Sequence, residues 1–203
     1  MYLDTSHGAD YFRRLHRLVE CSGSLWVHKA SHHFDLLNWW IDSDPESVYA
    51  LGSLDHYGKN GTFRAENCRT CPHTSKCKFY YDITRNQNYM DLYVANEKYD
   101  GYLRDGCVFK NDVNIFDKMA ATIRYKNGVQ VAYSLTTYSP YEGYRIAFNG
   151  TKGRLEAWIQ ESRPTSDVNF DELVLFKNFG KREYIQIPFG TSGHGGGDAL
   201  LKD

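Results

Sequence analysis

The stretch MAATIRYKNGVQVAYSLTTY, residues 119–138, alternates apolar and polar positions on both sides of Asn127-Gly128. Period-two alternation marks a half-buried strand, and Asn-Gly between two such runs is the strongest short hairpin signal. Ile123, Tyr125, Val129 and Val131 are the expected inward or cross-strand partners. The pattern recurs twice downstream. GYRIAFNGTKGRLEAWI, residues 143–159, is two apolar strands about a glycine-rich turn, and ELVLFKNFGKREYIQIPF, residues 172–189, is a third pair turning near Gly180. Successive hairpins predict an α+β architecture: an open, mainly antiparallel sheet with helices from the first half of the chain packed on one face. The other face is expected to meet solvent, another subunit or another domain. Tyr133 and Tyr144, both on the exposed parity, favour a partner surface there.

Composition sets the outer limits. The 203 residues are 41% hydrophobic and 15% aromatic with a net charge of -1, enough to bury one core and giving no general attraction to nucleic acid or anionic membrane. Neither is expected as a partner. No apolar run approaches the roughly 18 residues of a spanning helix, and no signal peptide is recognisable. Met1 leads almost at once into a helix-like segment, and GHGGGDALLKD at the end begins a helical pattern with no room to finish. Residues 1–203 therefore read as a single domain excerpted from a longer protein, with an element missing at each end.

In ADYFRRLHRLVE, residues 9–20, Phe12, Leu15 and Leu18 or Val19 share a stripe, which predicts a short amphipathic helix. Arg13, Arg14, His16 and Arg17 take the other faces; solvation explains them, and an anionic ligand could use them. SLWV, residues 24–27, reads as a short strand. HKASHHFDLLNWW, residues 28–40, then runs three histidines, a lysine and an aspartate into a helix over 31–41 with Phe34, Leu37, Trp40 and Ile41 at core spacing, ended before Pro45. On such a helix His28, His32 and Asp35 fall at i, i+4 and i+7 on one face. An imidazole can move a proton near neutral pH, and a carboxylate can orient it. The plain alternative is that one histidine caps the helix and the others pack beside tryptophans. A third is a metal-dependent hydrolase, with His28, His32 and Asp35 holding a catalytic ion.

Residues 45–110 show little periodicity, and so long a stretch needs something to pin it. Cys68, Cys71 and Cys77 sit in NCRTCPHTSKC, residues 67–77, Cys107 follows in RDGCVF, and Cys21 stands apart. A C-x2-C spacing lets two thiolates hold one ion from a tight turn, and Pro72 favours such a turn. Cys77 with Cys107 or His73 would complete a tetrahedral structural zinc site. Disulfides and free thiols are the competing readings, and an iron-sulfur cluster would draw on the same thiolates. In HGGGD, residues 194–198, three glycines allow close backbone approach. His194 and Asp198 could contact a polyol there, or Asp198 could cap a following helix.

The succession of HKASHHFD, the hairpin, FNGTKGRLE at 148–156 and HGGGD at 194–198 resembles the C-terminal domain of the Gfo/Idh/MocA oxidoreductases over nearly the whole chain. The resemblance implies a glyceraldehyde-3-phosphate dehydrogenase-like α+β domain that binds substrate and forms homo-oligomers through its open sheet face. In that family the domain follows a Rossmann domain, which this chain lacks. The family's aspartate, histidine four residues on and aspartate three further fall here on His28, His32 and Asp35. His32 thereby inherits the role of proton donor or acceptor at the substrate carbinol, with Asp35 orienting it. His28 departs from the usual aspartate, so the proton relay and the substrate are expected to differ. Lys29, His33, His194 and Asp198 are the expected substrate contacts. The family's Glu-Lys-Pro motif and glycine-rich dinucleotide fingerprint are absent, so the NAD or NADP site lies outside this chain and the fragment is expected to be inactive alone. The implied reaction of the complete enzyme is hydride exchange between a nicotinamide and a sugar or cyclitol carbon. A superfamily variant that uses bound NAD for glycoside cleavage and a non-catalytic assembly module are the alternatives.

Overall fold

The computed structural model describes residues 1–162 and 170–188. Two compact units divide the chain, residues 1–140 and residues 141–203. The first contains strand β1 (Tyr2–Asp4), helix α1 (Thr5–Arg13), a 3-10 turn (Leu15–Arg17), short helices α2 (Val19–Ser22) and α3 (Ser24–His28), helix α4 (Ala30–Ile41) and strand β2 (Pro45–Ser53). After them come the short helices α5 (Gln87–Leu92) and α6 (Glu97–Asp100) and the strands β3 (Lys118–Tyr125) and β4 (Gln130–Ser139). The strands of this unit lie in the order β2-β3-β4-β1. All its pairings are antiparallel except β1 on β4.

The alternation in β3 is realised residue by residue: Met119, Ala121, Ile123 and Tyr125 are buried, and the residues between them are exposed. Gly128 alone supplies the left-handed conformation of the hairpin, at φ +88°, while Asn127 does not adopt a positive φ. The Gly128 N–H donates to the Tyr125 carbonyl and the Tyr125 N–H to Val129, both at 2.9 Å. This is a turn followed by a glycine bulge, the usual form of a three-residue hairpin loop. Helices α3 and α4 cover the inner face. Trp26, Phe34 and Ile41 pack against Ala121, Ile123 and Tyr125, and a larger cluster gathers Leu3, Phe12, Leu25, Tyr57, Ile115, Met119 and Leu135.

Tyr133 belongs to that inner face, against the expectation from its parity. It pairs with Ala121, meets the Phe34 ring at a tilt with centroids 4.9 Å apart and is hydrogen-bonded through its hydroxyl to Nδ1 of His33 at 2.8 Å. Tyr144 is half-buried opposite Ile159. Trp40, placed in the core by spacing, is 44% exposed.

Two helical expectations also change. α1 starts earlier, capped by the Asp4 carboxylate that accepts from the N–H groups of Ser6 and His7, and ends at Arg13 because Arg14 is extended. Gly8 lets it approach β4, since a Cβ there would meet the Thr137 carbonyl oxygen at 1.8 Å. SLWV is helical, not a strand. A four-residue apolar run has no period of its own, and Leu25 is buried as part of α3.

The second unit carries β5 (Glu142–Gly150), β6 (Gly153–Ser162), β7 (Phe170–Lys177) and β8 (Arg182–Pro188), each antiparallel to the next. Its two hairpins match the expected ones, with Phe179 rather than Gly180 in the left-handed conformation of the second turn. The α+β class with an open, mainly antiparallel sheet is thus the observed one.

Candidate active site

α4 is held on its inner side by three contacts to the β3–β4 hairpin. Tyr125 donates through its hydroxyl to Asn38 at 2.8 Å, Asn127 donates to the Ile41 carbonyl at 3.2 Å, and His33 meets Tyr133. Asp42, left-handed at φ +51°, closes its C-terminus by donating to the Asn38 carbonyl. His33 is therefore part of the mount, tied to the sheet through Tyr133. His32 and Asp35 are exposed on the helix. No hydrogen bond or ion pair joins them among the described residues, so the orienting role expected of Asp35 has no contact behind it here.

His28 ends α3, with Lys29 between it and α4. Its neighbour is a residue the sequence left on a solvated face: the rings of His28 and His16 meet edge-on with centroids 4.1 Å apart. Tyr11 flanks both, at 5.7 Å from His16 and 5.4 Å from His28. Burial, then the Arg14 and His28 charges, pushes the His16 imidazole down to about 4. Burial also lowers His28, helped by Arg14, His32 and Lys29. Both rings are neutral at neutral pH. For His16 the folded value lies below the unfolded one, so its contribution to stability is present above about pH 6.5 and is lost as pH falls toward 4. Asp10 organises the cations behind the rings. Arg104 grips its carboxylate at 2.7 and 3.1 Å, and Arg14 reaches it at 3.4 Å. Lys29 is half-buried. His194 and Asp198 lie outside the described residues.

The structure gives no support to the metal expected at Cys68, Cys71, Cys77 and Cys107. All of them line one small cavity of about 10 Å³ and all are free thiols. Among the described residues, however, no group of three or more His, Cys, Asp or Glu side chains converges as a metal would need. Polar anchors pin the segment instead. Buried Arg13 donates to Cys68 Sγ at 3.2 Å and to the carbonyls of Gly106 and Phe79. Arg69 clasps fully buried Asp105 at 3.0 Å through both Nε and Nη2 and also pairs with Glu97. Asn67 bridges to Gly106. Burial raises the Cys68 and Cys77 thiols, and thiols react as thiolates. Titration with an aromatic disulfide reagent should therefore show one fast thiol, exposed Cys21, with the other four reacting about tenfold or more slowly until the protein is denatured. Cys21→Ser should remove the fast phase, and a fast phase persisting in that variant would refute the placement of the loop.

An open, mainly antiparallel sheet with helices packed on the inner face of β3 and β4 defines an α+β domain. The chain belongs to the oxidoreductase family through its C-terminal alpha/beta domain (GFO_IDH_MocA_C), which matches residues 2–172. It is also 36% identical, over 98% of its length, to the Bacillus subtilis (strain 168) protein named "Putative oxidoreductase YteT". The chain spans about half the length of that relative.

Proposed function

We propose that this chain is the substrate-binding part of an NAD- or NADP-dependent oxidoreductase acting on a carbinol carbon of a sugar or cyclitol. The observation that carries the reading is His32, exposed at the start of a helix fixed on its inner side by Phe34, His33 and Asn38. Such a side chain can meet substrate without the helix moving. When bound, the nicotinamide supplies the hydride exchange. The described residues contain no dinucleotide fingerprint, so that group is held elsewhere in the intact protein. This chain's part is to hold the polyol and to take the carbinol proton onto His32 or return it. His28 helps by staying neutral: a proton on His32 faces an uncharged ring, and the like charge makes a second proton on His28 costlier.

The exposed sheet face supports a partner as part of this reading. On the face away from the helices, Ala120, Thr122 and Ala132 leave a flat surface rimmed by Tyr49 and Leu51, which are 68% and 61% exposed. Small residues flanked by large apolar ones suit a second copy of the sheet, and a homo-oligomer is part of the proposal. No helix among the described residues is long and apolar enough to cross a membrane.

The test is a panel of sugars and cyclitols offered to the intact protein with NAD or NADP, read as reduced-nicotinamide absorbance. Turnover of one class supports the reading. Cofactor retained with glycosides cleaved and no net reduction would replace it with NAD-assisted hydrolysis.

A further inference from the structure

Beside His28 the structure leaves two buried polar atoms without a hydrogen-bond partner among the described residues. Arg14 leaves α1 in an extended conformation, and its Nε is buried without a hydrogen-bond partner among the described residues, as is Nδ1 of His16. A buried polar group left unpaired is costly, and native proteins keep few of them. The groups acting on this pair of rings are Arg14, Arg104, Lys29 and His32, and among the described residues Asp10 is the carboxylate that opposes them. Asp10 is already engaged through both oxygens by Arg104, which leaves Arg14 only its 3.4 Å contact. Tyr11 walls the His16 and His28 rings on one side.

We propose that Arg14 and His16 form a subsite for an anionic group, a carboxylate or phosphate, carried by the polyol substrate. The substrate class is then an acidic sugar rather than a neutral one. The inference rests on the oxidoreductase reading for the role of His32 and adds the end of the substrate opposite the reacting carbinol. A guanidinium Nε–H offers a charge-assisted bond whose partner is best an anion. His16 answers the same ligand in a second way. A neighbouring negative charge favours its protonated form, so binding should raise its pKa from about 4 and, in mildly acidic solution, take up a proton. His28 touches His16 and also feels the charge of His32, which links the two ends of the proposed site.

The experiment is an imidazole NMR titration of the full chain labelled in histidine, with glucuronate, glucose 6-phosphate, glucose, myo-inositol and inorganic phosphate as separate probes. Glucuronate or glucose 6-phosphate should bind about 10- to 100-fold more tightly than glucose, move the His16 signal and raise its pKa. Whichever of the two wins identifies carboxylate or phosphate as the group recognised. Arg14→Gln should collapse the ratio of acidic to neutral affinity toward one, while Arg14→Lys, which keeps the charge, should retain part of it. A His16 signal indifferent to every acidic sugar, or an unchanged ratio in folded Arg14→Gln, overturns the subsite. Inorganic phosphate binding as tightly as the sugar phosphate would mark an adventitious ion only and also overturns it. The two readings fail separately. His32-dependent turnover of neutral sugars with no acidic preference removes the subsite alone, whereas selective acidic binding without nicotinamide reduction removes the oxidoreductase reading alone.

Discussion

His32→Ala should lower kcat of the intact protein by about 10²- to 10⁴-fold, the range general acid-base catalysis supplies, while KM for the polyol changes little. The reason is geometric. His32 is exposed and bears no part of the core, whereas the neighbouring His33 is tied to Tyr133 and Phe34 packs beneath. Removing the His32 ring therefore deletes the proposed proton carrier without moving the helix that presents it. A loss expressed only in the chemical step is what an interaction made in the transition state predicts. Asp35→Asn makes the contrast. Because Asp35 does not touch His32 among the described residues, its replacement should cost less than about threefold, far below the effect of losing a general base. The kinetic constants of the two variants, taken with one substrate, decide the matter. A drop of less than tenfold for His32→Ala, or equal losses in both variants, would remove His32 from the proton step.

How much of this could be read from the chain depends on what each residue's environment does to sequence pattern. The hairpins were legible because β3 and β4 have one buried face and one wet face, so burial writes itself as alternation. β2 pairs along its whole length with β3, yet eight of its nine residues are exposed. An edge strand wet on both faces leaves no period to find. The same logic hid the anchors of residues 54–117. Asp105 and Asp117 are fully buried, but a buried carboxylate looks like any surface aspartate until its partners are known, and the clustered cysteines were the louder signal. At the candidate site, His28 and His32 stand out because they are close in sequence. Arg14 and His16 were assigned to a helix face that does not exist, since the chain turns extended at Arg14 and swings His16 against His28.

Asp117→Ala should destabilise the first unit by about 3 kcal/mol or more, the cost of leaving buried amides without an acceptor. Asp117 sits at the head of β3 with its carboxylate turned into the bend after β2. There it accepts the N–H groups of Asp55, His56 and Tyr57 at 2.7 to 3.2 Å. It is fully buried, as is Tyr57. The bend it closes aims Tyr57 inward, where its ring stacks at 4.1 Å on Phe12 of α1 and its hydroxyl donates to the Thr137 carbonyl at 3.1 Å. Thr137 in turn donates its hydroxyl to the Asp117 carbonyl at 3.0 Å. Alanine removes the side chain that accepts all three of these amides at once. Asp117→Asn keeps one carbonyl oxygen and should lose roughly half as much, still within the range of one or two unmade bonds. For a domain of this size the alanine loss corresponds to a fall of roughly 6 to 12 °C in Tm, measurable by thermal melting with urea unfolding as a second probe. Since Phe12 immediately precedes Arg13 and Arg14, the variant should also loosen the His16–His28 contact before it unfolds, seen as averaging of their imidazole signals. A change in stability below 1 kcal/mol would show that water satisfies these amides and that Asp117 does not hold the bend.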